Sequence, residues 1–121
     1  MREKILIVDD EEDIGAALKT LLERHNIDVT IVNNGRDCLK ELAKGFQGII
    51  LMDIMMPGMD GWDTIKQIVD RGYIDNVSII IITGRGTKDH KKLIGLEPYI
   101  KDYLSKPFTA ETLLASIRGS S

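Results

Sequence analysis

The chain has one cysteine, three prolines, one tryptophan and two phenylalanines among its 121 residues, and no surplus of basic charge. A lone thiol, Cys38, excludes an internal disulfide and a cysteine-built zinc site, and reads as a small buried apolar group. Sixteen Lys and Arg against nineteen Asp and Glu leave a net charge of −3 and a pI near 5.3. That balance argues against non-specific nucleic-acid binding by this segment. No apolar run approaches the roughly 20 residues a membrane helix needs. The start, Met1 to Asp10, has neither a secretory h-region nor transit-peptide character, so a cytoplasmic location without membrane contact is expected. With 43% apolar and 29% charged residues the composition fits one globular domain over 1–121. Its core should run from about 4 to 118, and 119–121 form a tail or linker.

What the chain does have is regular alternation of strand and helix signals. Ile5 to Val8 is a short apolar run, and Ile14, Leu18, Leu21 and Leu22 follow at amphipathic-helix spacing within 11–25. Val29 to Val32 predicts a second strand, and a turn at Asn33-Asn34-Gly35 leads into a helix with Cys38, Leu39 and Leu42 inward. Ile49 to Met52 is a third strand; after a turn-rich loop, Ile65, Ile68 and Val69 mark a third helix ending near Gly72. Val77 to Ile82 contains four successive isoleucines, which suits a central strand covered on both faces. Helical residues around 88–97, a strand at 102–105 and a helix from Thr109 with Leu113, Leu114 and Ile117 inward complete five β-α units. Such alternation implies an α/β doubly wound parallel sheet with right-handed crossovers, and ligands bind beyond the carboxyl ends of its strands.

Those strand ends carry the chemistry. Asp9 and Asp10 follow the first strand, Asp53 the third, Thr83 the fourth and Lys106 the fifth. Parallel strands bring their ends to one edge, so three carboxylates, a hydroxyl and an ammonium should share one cleft. Two carboxylates about 4 Å apart repel by roughly 4 kcal/mol at an effective dielectric near 20, so a compensating cation is needed. An all-oxygen acidic set points to Mg2+, while His25 and His90 are too remote in sequence to favour zinc. A carboxylate such as Asp53 can act as nucleophile toward phosphorus, with Thr83 and Lys106 supplying charge and hydrogen bonds to the equatorial oxygens.

The segments IVDDEED, LMDIMMPGMDG, IIIITG and DYLSKPF, in this order and each at a strand end, resemble the response-regulator receiver domain of two-component signalling. The resemblance spans Lys4 to about Arg118. It implies a flavodoxin-like five-stranded sheet of order 2-1-3-4-5, a (βα)5 fold of the kind a chemotaxis receiver exemplifies. It implies that Asp53 is the phosphoacceptor, taking the phosphoryl group from a phosphohistidine on a sensor histidine kinase or phosphotransfer protein. Asp10 and Asp53 would bind Mg2+ directly, Asp9 through a water, with the main-chain carbonyl of Met55 as a further ligand. Thr83 and Lys106 would hold the phosphoryl oxygens, Gly84 would stay small to admit them, and Tyr103 would turn inward with Thr83. The fourth helix, fifth strand and fifth helix would then signal to a downstream target protein or fused output domain, or form a phosphorylation-dependent dimer. By the same resemblance the Lys106-Pro107 bond is cis, and the chain is a signalling module that modifies itself rather than an enzyme with an external substrate.

Two departures stand out. Glu97-Pro98-Tyr99-Ile100-Lys101-Asp102 occupies the place where receivers commonly carry Gly-Ala, and Lys106 follows Thr83 by 23 positions, one more than the resemblance leads us to expect. The surplus residue is expected before Gly95, and Pro98 should leave the fourth helix short or irregular. Met55 and Arg85, two residues beyond Asp53 and Thr83, flank the line of water attack and are expected to slow hydrolysis of the phosphorylated state. Other readings are duller. Glu11, Glu12 and Asp13 read as first-turn acids placed by the helix dipole rather than as metal ligands. Gly84-Arg85-Gly86 is too short for a phosphate loop, Asn76-Val77-Ser78 is a chance glycosylation pattern, and Trp62 reads as packing. An aspartyl-phosphate phosphohydrolase is the enzymatic alternative, but it wants a second acid where Met55 stands. A flavodoxin-like electron carrier would need phosphate donors, not acids, after the first strand. A phosphorylation-independent pseudo-receiver is disfavoured by the presence of all five site residues.

Overall fold

The computed structural model describes residues 3–56, 58–84 and 95–119. Five parallel strands, β1 (Lys4–Val8), β2 (Asp28–Val32), β3 (Gly48–Asp53), β4 (Val77–Thr83) and β5 (Ile100–Ser105), form one sheet in the order β2-β1-β3-β4-β5. Four α-helices are described: α1 (Glu12–Glu23), α2 (Gly35–Ala43), α3 (Gly61–Asp70) and the C-terminal α4 (Ala110–Arg118). Short 3-10 turns at Tyr73–Asn76 and Glu97–Tyr99 lead into β4 and β5. Most of the expected 88–97 helix lies outside the described residues. Its described end is not helical: Gly95 has φ +87 and Glu97 already belongs to the 3-10 turn, whose first positions suit Pro98. None of the described helices is long and apolar enough to cross a membrane.

The isoleucine run explains itself once both faces are seen. Side chains alternate across a strand, so Ile79 and Ile81 join Leu6, Val8, Ile50 and Met52 under α2 and α3, where Cys38, Leu39, Trp62, Ile65 and Ile68 are buried. Ile80 and Ile82 join Ile5, Ile7 and Leu51 beneath α1 and α4, against Leu18, Leu22, Leu113 and Ile117. Each fully buried isoleucine contributes roughly 1.5–3 kcal/mol. The expected inward faces of the helices agree with this, except that Ile14, Leu21, Val69 and Leu114 are only partly buried. Cys38 is fully buried, and burial with the nearby Glu41 charge pushes its thiol up to about 12, so it is inert packing.

Local caps set where three helices begin. Asn34 Oδ1 accepts the Asp37 N–H at 2.7 Å, Asp60 Oδ1 that of Asp63 at 2.9 Å, and Thr109 Oγ1 that of Thr112 at 3.1 Å. The β5 strand starts earlier than the expected residue 102. Ile79 pairs with Ile100 and Ile80 with Asp102, so Lys101 is a bulged extra residue. The bulge turns Ile100 toward the α3 side while Asp102 and Leu104 face α4, and Ser116 Oγ donates to Asp102 Oδ2 at 2.7 Å. Surplus length is thus visible inside β5; the stretch just before Gly95, where the spacing suggested it, lies outside the described residues.

Candidate functional site

Sheet register determines which strand-end residues can meet. Val8 pairs with Met52, so Asp9 and Asp53 stand level at the carboxyl edge of neighbouring strands. Asp9 N–H donates to the Val32 carbonyl at 3.1 Å, and Ile54 N–H to the Ile82 carbonyl at 3.2 Å, which hold both turns against the sheet. Both carboxylates are buried, on the alternation of Ile7 and Leu51 that faces α1 and α4. Lys106 lies two strands from Asp53, about 9–10 Å along the hydrogen-bonding direction. A long cationic stem bridges that gap where a short one would fail.

Lys106 Nζ lies 3.5 Å from Asp9 Oδ2, 3.4 Å from Glu11 Oε1 and 3.8 Å from Asp53 Oδ2. The Lys106-Pro107 bond is cis, and Lys106 N–H donates to the Thr83 carbonyl at 2.8 Å. Asp53 Oδ1 accepts the Met55 N–H at 3.0 Å, while Asp9 Oδ1 accepts the Glu11 N–H at 2.9 Å. Burial, then the charge of Asp9, raises the Asp53 carboxyl from 3.8 to about 7, against the lowering effect of the Met55 N–H and Lys106. Burial works to lower Lys106, but Asp53, Asp9 and Glu11 together raise it above its ordinary value.

Thr83 ends β4 at the same carboxyl edge, and Tyr103 lies within β5. By alternation both belong to the opposite face of the sheet, where Ile81 pairs with Tyr103 and Tyr103 packs against the α3-side core. The Thr83 hydroxyl donates to the Gly84 carbonyl at 2.9 Å. Burial and the Glu97 charge raise the Tyr103 phenol above its usual value. Among the described residues, a methyl group at Gly84 would meet nothing within 4 Å. Arg85 and His90 lie outside the described residues.

Asp9, Asp10, Glu11 and Asp53 each offer a carboxylate oxygen, all within 4.8 Å of one another, and could hold a metal ion. Asp9 Oδ2 is buried and, apart from its ion pair with Lys106, has no hydrogen-bond partner among the described residues. A buried, unsatisfied carboxylate oxygen in an all-oxygen set is what a hard divalent cation fits. Comparison with known proteins then decides the family: the response regulator receiver domain matches residues 5–118.

The chain belongs to the response-regulator receiver domain family. This receiver is 38% identical over 114 residues to the sensory transduction protein RegX3 of Mycolicibacterium smegmatis, covering 94% of the chain and 48% of that protein. It is 37% identical over 115 residues to the transcriptional regulatory protein CpxR homolog of Haemophilus influenzae, covering 95% and 48%. A CheY-like response regulator receiver domain protein from Methanospirillum hungatei has the same fold at TM-score 0.90, with 39% identity over 97% of this chain and 92% of that one. The receiver spans about half the length of the curated relatives it matches.

One residue of this receiver's acidic cluster differs from the sequence reading. Glu12 and Asp13 do occupy the first turn of α1, but Glu11 is the N-cap and its side chain makes no cap hydrogen bond. It reaches Lys106 instead. The available signal was the Asp9-x-Glu11 spacing, since an Asp side chain can accept the N–H two residues on and so fix the turn that carries Glu11. A further missed residue is Gly61, where an added Cβ would stand 2.6 Å from the Asp53 carbonyl oxygen and 2.8 Å from Ile54 Cα. Its N–H donates to the Ile54 carbonyl at 3.2 Å, which draws the start of α3 against the Asp53 backbone.

Proposed function

We propose that Asp53 accepts a phosphoryl group from a phosphohistidine on a sensor histidine kinase or phosphotransfer protein, and that the receiver catalyses its own phosphorylation and dephosphorylation. The observation that carries this reading is a buried carboxylate, Asp53, 3.8 Å from the Lys106 ammonium in the acidic cluster. An Asp53 oxygen attacks phosphorus while the P–N bond breaks and its electron pair returns to the imidazole. Asp53 must be ionised to attack, and a carboxyl raised to about 7 without metal favours the protonated form below neutral pH. Asp10 and Asp53 directly, Asp9 through a water and the Met55 carbonyl would hold Mg2+, whose positive charge would favour the ionised carboxylate and neutralise phosphoryl oxygens.

Lys106 then donates to a phosphoryl oxygen, helped by its placement beside Asp53. The Thr83 hydroxyl leaves the Gly84 carbonyl for a second phosphoryl oxygen, and the vacated space lets Tyr103, on the same sheet face, turn inward. The surface built around β5 and α4 is the output face in this reading. Because a relative named as a transcriptional regulatory protein is about twice as long, a fused output domain is proposed as the immediate partner.

Incubation with acetyl phosphate and Mg2+ should add one phosphate, seen by intact mass, to the wild type and none to Asp53→Asn. A correctly folded wild type that gains no phosphate would overturn the reading.

A further inference from the structure

The junction between β1 and α1 uses its acids in an unusual way. Asp9 Oδ1 accepts the Glu11 N–H, and Glu11 takes the N-cap position of α1 with φ −89 and ψ 101. An N-cap side chain ordinarily accepts an N–H from the first turn. That of Glu11 accepts none there and lies 3.4 Å from Lys106 Nζ, 95 residues along the chain. Glu11 is the nearest of the three carboxylates around that ammonium.

The three partners are not equivalent. Asp9 and Asp53 are buried and each is fixed by a backbone N–H, whereas the Glu11 side chain is 58% exposed. Water can replace Lys106 at Glu11 with little penalty, but cannot do so at the buried pair. When a phosphoryl group reaches Asp53, Lys106 must turn a donor toward it. Glu11 is therefore the partner that Lys106 releases.

We propose, resting on the phosphoacceptor reading above, that Glu11 is a positioning residue that holds Lys106 toward the β1-α1 junction and thereby slows phosphoryl uptake by Asp53. The hold is an exposed ion pair, so its removal should change rates by roughly two- to fivefold rather than by orders of magnitude. Since Glu11 makes no cap bond, the Glu11→Gln variant should keep its thermal stability.

The test compares wild type, Glu11→Gln and Glu12→Gln, the last removing the same charge one residue further on. Reductive methylation of Lys106, followed by peptide mass spectrometry, reads the hold itself. Expected is a two- to fivefold faster labelling of Lys106 in Glu11→Gln only. Uptake from acetyl phosphate at saturating Mg2+ should rise by a similar factor, again in that variant only. In that uptake the P–O bond to acetate breaks, acetate leaves, and Asp53 forms the new P–O bond. The Mg2+ affinity, by calorimetry, should stay within about twofold of wild type. Unchanged or slower uptake, an equal gain in Glu12→Gln, or a tenfold weaker Mg2+ affinity that makes Glu11 a ligand would each overturn the proposal. If wild type takes up no phosphate, the phosphoacceptor reading fails, and the Lys106 labelling alone decides whether Glu11 holds the lysine.

Discussion

Lys106 Nζ stands 3.5 Å from Asp9 Oδ2, a buried oxygen to which the described residues donate no hydrogen bond. One ammonium thus offsets two buried carboxylates and an exposed one across three strand ends. Among the described residues that single cation holds the metal-free site together, and the site's properties should respond sharply to charge, pH and added metal.

Removing the cation strands the acids. Lys106→Met should lower the stability of the metal-free protein at pH 7.5 by about 1–3 kcal/mol, less than for a fully buried pair because Lys106 is 21% exposed. Urea unfolding in the presence of a chelator would measure the loss, and added Mg2+ should restore most of it. A variant as stable as wild type without metal would show that the three contacts contribute nothing.

Acid should stabilise the metal-free site. Asp53 binds its proton more tightly in the folded chain, at about 7, than in the unfolded one, near 3.8. Between these values the native state holds more protons, so this group's contribution falls as pH rises from about 4 to 7 and is flat above. The change is at most about 4 kcal/mol for this group alone. Asp53→Asn should erase this component of the pH dependence and be more stable than wild type at pH 8 without metal. Thermal melts from pH 4 to 8 would settle it, the expected sign being opposite to that of a salt-bridged surface carboxylate.

The start of α3 leaves no room for a side chain behind Asp53. Gly61→Ala would press a methyl group onto the Asp53 carbonyl and Ile54 Cα, both backbone atoms that cannot rotate away. A loss of about 1–3 kcal/mol is expected, together with weaker Mg2+ binding because the Asp53 turn must shift. Full stability with unchanged metal affinity would contradict the contact.

Met55 is the exposed large apolar side chain among the described residues, 59% accessible and two residues beyond the acceptor. Exchanging it for a side chain that can orient water, Met55→Asn, should speed hydrolysis of the phosphorylated form severalfold. Phosphate release after removal of the donor reads this directly, and equal or slower release would remove Met55 as a barrier.

Much of this architecture is legible in one dimension. Five apolar runs separated by helical periodicity dictate a parallel doubly wound sheet, because a run of four isoleucines can be buried only if both faces are covered. The same pattern brings Asp9, Asp53, Thr83 and Lys106 to one edge, since parallel strands end together. Tertiary structure decides what register and reach control. The level pairing of Val8 with Met52 puts Asp9 beside Asp53, and strand alternation sends Thr83 and Tyr103 to the other face. The bulge at Lys101 depends on the β4 backbone, distant in sequence, and the crowding behind Gly61 on how the loop after Asp53 folds back. Glu11 shows the difference most plainly: local rules assign it to the helix dipole, and only a lysine arriving from 95 residues away turns it into part of the site. Periodicity is a property of neighbours along the chain, whereas a Coulomb contact depends on distance in space, which the folded sheet alone sets.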